Sequence, residues 1–419
     1  MRKVAFTIVA KNYIGLAKIL EKSFLENNSN SDFLIFVSDE YDGDEQDVIV
    51  AKKVLRINEA DWIDMSFKYD ITEFCTSIKP FCFSYLFEKC GYDIVLYFDP
   101  DIYVFDSLYD IFKTLEKKHF YLTPHLVTPD VSPNDDRVCL QSGIFNLGFI
   151  GLSISKEVKT FLNWWESRLK NLCFDDLLSY TFTDQKWANF IPAFYPEQFY
   201  SSLHLGMDVA PWNYFERKLM KRNGSIYVTN RITGSKEEFP LLFVHYSGFN
   251  YKELISGQIS RNRRGKVVIY DDVNLILEYY RQTILDNQGL FNAYIDLPYT
   301  YATYENGDKI DKVHRRIYRN LTENNRSCTA PFSVGSGTLH SKIYSKKMIT
   351  GENVNRLSQE GISNLGSKSK WICAIMKVVY RLVGYKRYLQ LLKYLKYFSR
   401  LEAQAFLVES TMSEHVLPQ

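Results

Sequence analysis

DIVLYFDPDIYVF, residues 93–105, is the stretch on which the fold turns. Ile94, Val95, Leu96, Tyr97 and Phe98 form the short unbroken apolar run of a strand covered on both faces. Side chains alternate along a strand, so Asp99 and Asp101 are expected on the same side of it. Two carboxylates that close raise each other's pKa unless a cation neutralises them. Pro100, between them, cannot donate to a ladder and belongs at a strand end or a bulge. A buried strand that brings paired carboxylates to the rim of a sheet predicts a cation at that rim.

The flanking sequence supplies the rest of such a sheet. Val4–Val9 and Asp32–Val37 read as strands, Leu16, Leu20 and Phe24 recur at helical spacing between them, and Phe81–Phe87 suits a helix before the aspartate strand. Further apolar runs lie at 120–127, 144–152 and 241–246. Strands alternating with helices predict an α/β domain with a mainly parallel sheet flanked by helices. In such sheets ligands sit outside the carboxyl ends of the strands, where Asp99 and Asp101 lie. HYSGF, residues 245–249, follows the apolar LLFV and places His245 at another strand end. An imidazole with one or two carboxylates, its shell completed by diphosphate oxygens, suits Mn²⁺ or Mg²⁺.

With 419 residues, 46% of them hydrophobic, the chain can form two or three structural units, and global disorder is excluded. The net charge of +2 says little about partners, and no nucleic acid is expected among them. Seven cysteines, an odd number with no CxxC pair, speak against a zinc ribbon or a disulfide framework, so a reduced, cytoplasmic protein is expected. The opening MRKVAFTIVAKNYIG has too short an apolar run for a signal peptide, and no stretch approaches the ~20 apolar residues of a membrane span.

Four regions are expected: a catalytic domain over 1–250, a helical segment over 251–330 with VNLILEYYRQTIL as its clearest part, a Ser/Gly/Asn/Lys-rich linker over 331–369, and a basic amphipathic tail over 370–419. Residues 361–401 hold nine Lys or Arg and no acid, which leaves the remainder of the chain at −7. That segregation predicts a helix drawn to anionic lipid, through 370–401.

Taken together, these motifs resemble GT-A-fold glycosyltransferases, especially glycosyltransferase family 8 and bacterial polysaccharide enzymes. The likeness covers about residues 3–250. It implies a Rossmann-like sheet with a helical C-terminal extension, and a metal-dependent hexosyltransferase that moves a sugar from a nucleotide-diphosphate donor to a glycan or lipid-linked acceptor. Uridine as the base, retention of anomeric configuration and a place in bacterial surface polysaccharide synthesis are implied at the same level. By the resemblance, TIVAKNY sets Thr7, Ala10 and Asn12 near base and ribose, and Lys79 in SIKPF meets the donor. Asp99 and Asp101 match the DxD that holds metal and diphosphate. FNLGFIGL nominates Asn146 and Gly148 for the sugar pocket, TDQKWAN nominates Asp184 and Gln185 beside the transferred sugar, and HYSG nominates His245 as metal ligand with Gly248 beside the donor. Asp184 reads equally as the N-cap of a helix starting near Gln185.

One departure stands out: Phe249 and Asn250 follow where the family continues to Lys-Pro-Trp. Arg261, Arg263 or Arg264 are candidate replacements for that lysine. Trp212 and Asn213 suit an acceptor platform, Asp208 a base or a turn, His204 a structural role, Trp164 and Trp165 core packing, and Asp175-Asp176 a helix cap. Two other classes fit a DxD: a Mg²⁺-dependent phosphatase of the haloacid-dehalogenase kind, and a non-catalytic, membrane-associated sugar-nucleotide-binding protein. Hydrolysis of simple phosphate esters distinguishes the first, and metal-dependent nucleotide binding without turnover the second.

Overall fold

In a computed structural model of the chain, residues 1–130, 136–259, 269–325, 328–349 and 365–408 are described, the last stretch with side chains from 369 onward. The described chain forms two compact units. The first comprises Met1–Ile57 and Ile71–Tyr299; the second comprises Asn58–Asp70 and the chain from Thr300.

The first unit is built on a seven-stranded sheet. Its strands are β1 (Lys3–Val9), β2 (Asp32–Val37), β3 (Val48–Val50), β4 (Ile94–Phe98), β6 (Phe120–Pro124), β7 (Phe145–Ser153) and β8 (Phe199–Ser201), in the order β8-β6-β7-β4-β1-β2-β3. Only β7 runs antiparallel to its neighbours, so the sheet is mainly parallel, as its apolar runs predict. β1, β4 and β7 are almost wholly buried because helices cover both faces. The helix Ile14–Asn27 follows β1 and buries Leu16, Leu20 and Phe24, the residues whose spacing announced it.

The aspartate strand ends sooner than alternation alone suggests. β4 stops at Phe98, and the chain turns through Pro100 and Asp101, with Ile102 N–H donating to Asp99 C=O at 3.1 Å. The short strand β5 (Ile102–Val104) then pairs antiparallel with β9 (Phe243–His245), setting His245 opposite Ile102. Two segments about 140 residues apart in sequence are thus stitched together beside the turn.

The unit does not end at 250. Tyr251, Leu254, Val273, Ile276, Leu277, Tyr280 and Ile284 share a core with Leu16, Ile19, Val244 and Tyr246. The rings of Tyr246 and Tyr280 stack at 3.9 Å. Burial of large side chains at roughly 2 kcal/mol each ties this helical stretch, expected to be a separate segment, to the sheet.

In the second unit, the helix Lys312–Glu323 buries three arginines, Arg315, Arg316 and Arg319. The Arg315 guanidinium donates to the carbonyls of Ser66, Phe67, Tyr69 and Tyr301 at 2.6–3.1 Å. It therefore satisfies the open carbonyl end of the helix Glu59–Lys68, where a cation is also favoured by the helix dipole. This gives a structural role to the RRIYR stretch, residues 315–319. Residues 331–349, expected to be linker, are folded: Thr338 caps the helix Leu339–Ser345, whose Leu339 and Ile343 are buried. The rest of that expected linker up to 364, and the tail beyond 408, lie outside the described residues. The helix Leu365–Phe398 breaks at Gly384, whose φ of 75° is left-handed backbone that glycine tolerates.

Candidate metal and donor site

Three side chains converge at the carboxyl end of β4. Suitable ligand atoms of Asp99, Asp101 and His245 all lie within 4.8 Å of one another. His245 Nε2 is 3.1 Å from Asp101 Oδ1 and 3.7 Å from Asp99 Oδ2. Burial alone would hold the imidazole's pKa down, but Asp101 and Asp208 outweigh it and push His245 up to about 10. Burial and the neighbouring Asp101 charge raise Asp99 above the ordinary carboxylate range, against the opposing pull of Lys79 and His245. Two carboxylates and one imidazole at this spacing form a donor set that fits a hard divalent ion, and binding would displace the imidazole proton.

The surroundings fix each ligand. Tyr97, two residues before Asp99 on the strand, donates its hydroxyl to Asp99 Oδ1 at 2.6 Å. β7 slips register against β6, pairing Leu122 with Ile150 but Thr123 with Asn146. The residues in between bulge toward the site, and Gly148 C=O accepts Asp99 N–H at 2.7 Å. Asn146 Oδ1 accepts Gly148 N–H at 2.9 Å and lies 3.2 Å from His245 Nδ1.

Gly148 has no room for a side chain. A Cβ there would sit 2.6 Å from His245 Nδ1 and 2.7 Å from Asn146 Oδ1. Gly148→Ala is expected to cost about 1–3 kcal/mol through overpacking. Displacing His245 should also weaken Mn²⁺ binding about 10–100-fold. A Mn²⁺ titration of G148A that matches wild type would mean that this contact does not set the ring position.

Beside the three ligands lies a cavity of about 270 Å³. Its walls include Ala10 and Tyr13 after β1, Ile71, Thr72, Cys75 and Thr76 from the helix Ile71–Ser77, and Asp99, Asp101, Gly248 and Tyr251. Ala10 and Gly248, nominated from sequence, are on this wall. Thr7 lies outside it, fully buried within β1, and so does Asn12, in the turn after it. The helix Ile71–Ser77 carried no motif, and nothing in its sequence marked it as a cavity wall.

Lys79, Asp184 and Gln185 are placed differently from the expectation. Lys79 Nζ is buried, 2.5 Å from Asp184 Oδ2, 2.9 Å from Leu147 C=O and 3.8 Å above the Tyr97 ring. It is therefore committed to Asp184 and not to a free donor subsite. Asp184 precedes the short helical turn Gln185–Phe190 but makes no side-chain cap; it accepts from Lys79 and Thr183 instead. Gln185 accepts Leu147 N–H at 3.1 Å and donates to Ser142 C=O at 3.1 Å, bracing the start of β7.

The minor candidates also find places. Trp212 sets its ring edge-on to His245 at 5.2 Å and to His125 at 5.4 Å, so it covers the ligand. Asn213 is wholly buried, bonding Ala210, His125 and Asp208 backbone groups, which removes it as an acceptor contact. His204 accepts Gly206 N–H in a turn, and Trp165 is core. Asp176 caps the turn Leu177–Ser179 through Leu178 N–H. Arg261, Arg263 and Arg264 lie outside the described residues. Asp208, read from the sequence as a base or a turn residue, is fully buried 3.5 Å from His245 Nδ1.

No family model matches the chain, and no curated protein matches it. Solved structures resemble it only distantly. The galactosyltransferase LgtC, in complex with donor and acceptor sugar analogs, is 15% identical, with 70% of this chain and 97% of that one covered at a TM-score of 0.40. The glycosyltransferase GlyE of Streptococcus pneumoniae TIGR4 is 14% identical, covering 73% and 67% at 0.37. Mouse xyloside xylosyltransferase 1 is 12% identical, covering 59% and 98% at 0.34. At such distances the geometry of the site has to carry the functional argument.

Proposed function

We propose that the protein is a metal-dependent, GT-A-type glycosyltransferase that moves a sugar from a nucleotide-diphosphate donor to a glycan acceptor. The observation that carries this reading is the convergence of Asp99, Asp101 and His245 at the mouth of a cavity on the carboxyl ends of β1 and β4. Those three residues would hold Mn²⁺ or Mg²⁺, which as a Lewis acid offsets the charge that builds on a departing diphosphate. The cavity bounded by Ala10, Tyr13 and the helix Ile71–Ser77 offers a mainly apolar slot for base and ribose.

Asn146 and Gln185 fix the bulge of β7, and Asp184 is paired with Lys79 beside it. A fixed carboxylate and amides there would tolerate positive charge developing at an anomeric carbon. The resemblance to family 8 favours uridine as the base and retention of configuration.

The test is nucleoside-diphosphate release across UDP-, GDP- and dTDP-sugars, with Mn²⁺ or with EDTA. Release from one donor that EDTA abolishes is the expected result, and proton NMR of the product's anomeric signal reads the stereochemistry. No release and no metal-dependent binding with any donor would overturn the assignment.

The acceptor we propose is a lipid-linked saccharide in bacterial surface polysaccharide synthesis, reached at the inner face of the cytoplasmic membrane. No helix among the described residues is long and apolar enough to cross a membrane. Support comes from the helix Leu365–Phe398. Trp371, Ile375, Val378 and Leu382 recur at spacings of four, three and four, all exposed, while Lys370, Lys377 and Arg381 recur on another face. Each surface-bound cation contributes roughly 1 kcal/mol toward an anionic bilayer, so K370Q/K377Q/R381Q should bind anionic vesicles on the order of 100-fold more weakly. Sedimentation equal to wild type would remove the membrane from this reading.

A further inference from the structure

We propose that Asp208 is a positioning residue that orients His245 as a metal ligand; this rests on the metal reading above. The segment around it runs beside the histidine strand. Val209 bridges in parallel to Val244, Val209 N–H donates to Phe243 C=O at 3.2 Å, and His245 N–H donates to Val209 C=O at 2.9 Å. Asp208 sits at the start of that bridge with a φ of 52°, left-handed backbone that few residues other than glycine adopt. Asn213 holds it there. Its Nδ2 donates to Asp208 C=O at 2.9 Å, and its Oδ1 accepts Ala210 N–H at 2.9 Å. The strained backbone turns the carboxylate inward.

What it turns toward is the far side of the imidazole. Asp208 is fully buried, and among the described residues neither of its carboxylate oxygens has a hydrogen-bond partner. A buried carboxylate without a donor is costly. His245 Nδ1 lies 3.5 Å from Asp208 Oδ1 and 3.2 Å from Asn146 Oδ1. Asn146 Oδ1 at hydrogen-bond distance and the Asp208 carboxylate just beyond it both favour the proton on Nδ1, which leaves the Nε2 lone pair directed at Asp101 and Asp99. Metal-ligating histidines generally make such a bond from the other ring nitrogen, and a carboxylate in that position raises the basicity of the ligand. Gly148 on one side and Trp212 on another confine the ring, so the imidazole cannot turn away.

The experiment is a Mn²⁺ titration of the full chain without donor, read by the electron paramagnetic resonance of free Mn²⁺. Wild type, Asp208→Ala and Asp208→Asn are compared, with turnover measured as a function of Mn²⁺. Asp208→Ala should bind Mn²⁺ about 10–100-fold more weakly. Saturating Mn²⁺ should restore most of its kcat. Asp208→Asn, whose amide oxygen keeps a negative dipole facing Nδ1–H, should lose less, and it answers the question if the alanine variant does not fold. Wild type and both variants binding Mn²⁺ equally well would overturn the role of Asp208 alone. A kcat loss that saturating Mn²⁺ leaves in place would also overturn it, because that marks a merely structural residue. Wild type that binds no Mn²⁺ would overturn the metal site itself and this proposal with it.

Discussion

Asp101→Asn should lower kcat at least about a thousandfold while leaving the protein folded. The expectation follows from the division of labour within one residue. The Asp101 carbonyl accepts Tyr246 N–H at 2.8 Å, a backbone bond that an asparagine keeps. Its carboxylate supplies the closest charge to His245 Nε2, at 3.1 Å. The substitution therefore removes one negative charge from the cation site and keeps the backbone bond that anchors the turn. A metal acting on a departing diphosphate contributes several kcal/mol, and about 4 kcal/mol corresponds to three decades in rate. Mn²⁺ affinity and donor turnover should fall together, with the unfolding midpoint little changed. Full turnover in this variant, at unchanged Mn²⁺ affinity, would dismiss Asp101 as a ligand.

The second large effect concerns stability. Lys79→Met should destabilise the fold by about 3–5 kcal/mol, the usual cost of leaving one member of a buried ion pair uncompensated. Lys79 and Asp184 are 1% and 3% exposed and 2.5 Å apart, so water cannot take over the lost charge. The lysine also bridges to Leu147 C=O and covers the face of Tyr97, whose hydroxyl steadies Asp99. Asp184→Leu combined with Lys79→Met should recover much of the loss, since paired apolar replacements of buried ion pairs are often neutral. Denaturant midpoints at constant m-value measure both. If the double variant is as unstable as the two single losses added, the pair is not what Lys79 is there for.

Much of the sheet was legible because its strands are buried on both faces. Asp32–Val37 and Ile94–Phe98 carry continuous apolar runs with hardly any competing helical period, and both match the structure residue for residue. The cluster of Asp99, Asp101 and His245 was legible because each of its residues follows such a run. The order of the charges around it was not. Lys79 and Asp184 lie 105 positions apart, and no local pattern says that two opposite charges will be buried together. Asp208 read only as a base or a turn residue, because what sets its position is a left-handed backbone and a bridge to a distant strand. The domain boundaries were hidden for a related reason: composition shifts near 250 and 331, while packing follows Tyr280 onto Tyr246 and Arg315 onto the helix Glu59–Lys68.

That last contact has a consequence in time. Arg315 and Phe67 are 248 residues apart, so the helix Glu59–Lys68 leaves the ribosome long before the guanidinium that closes its end. At 5–20 residues per second it waits roughly 12–50 s, amphipathic and unaccompanied, while the sheet around Asp99 can already assemble. A shortened chain ending at Tyr299 makes that wait permanent. Expression trials of such a fragment should show insoluble product, and the same fragment with residues 58–70 replaced by a short glycine-serine loop should be better behaved.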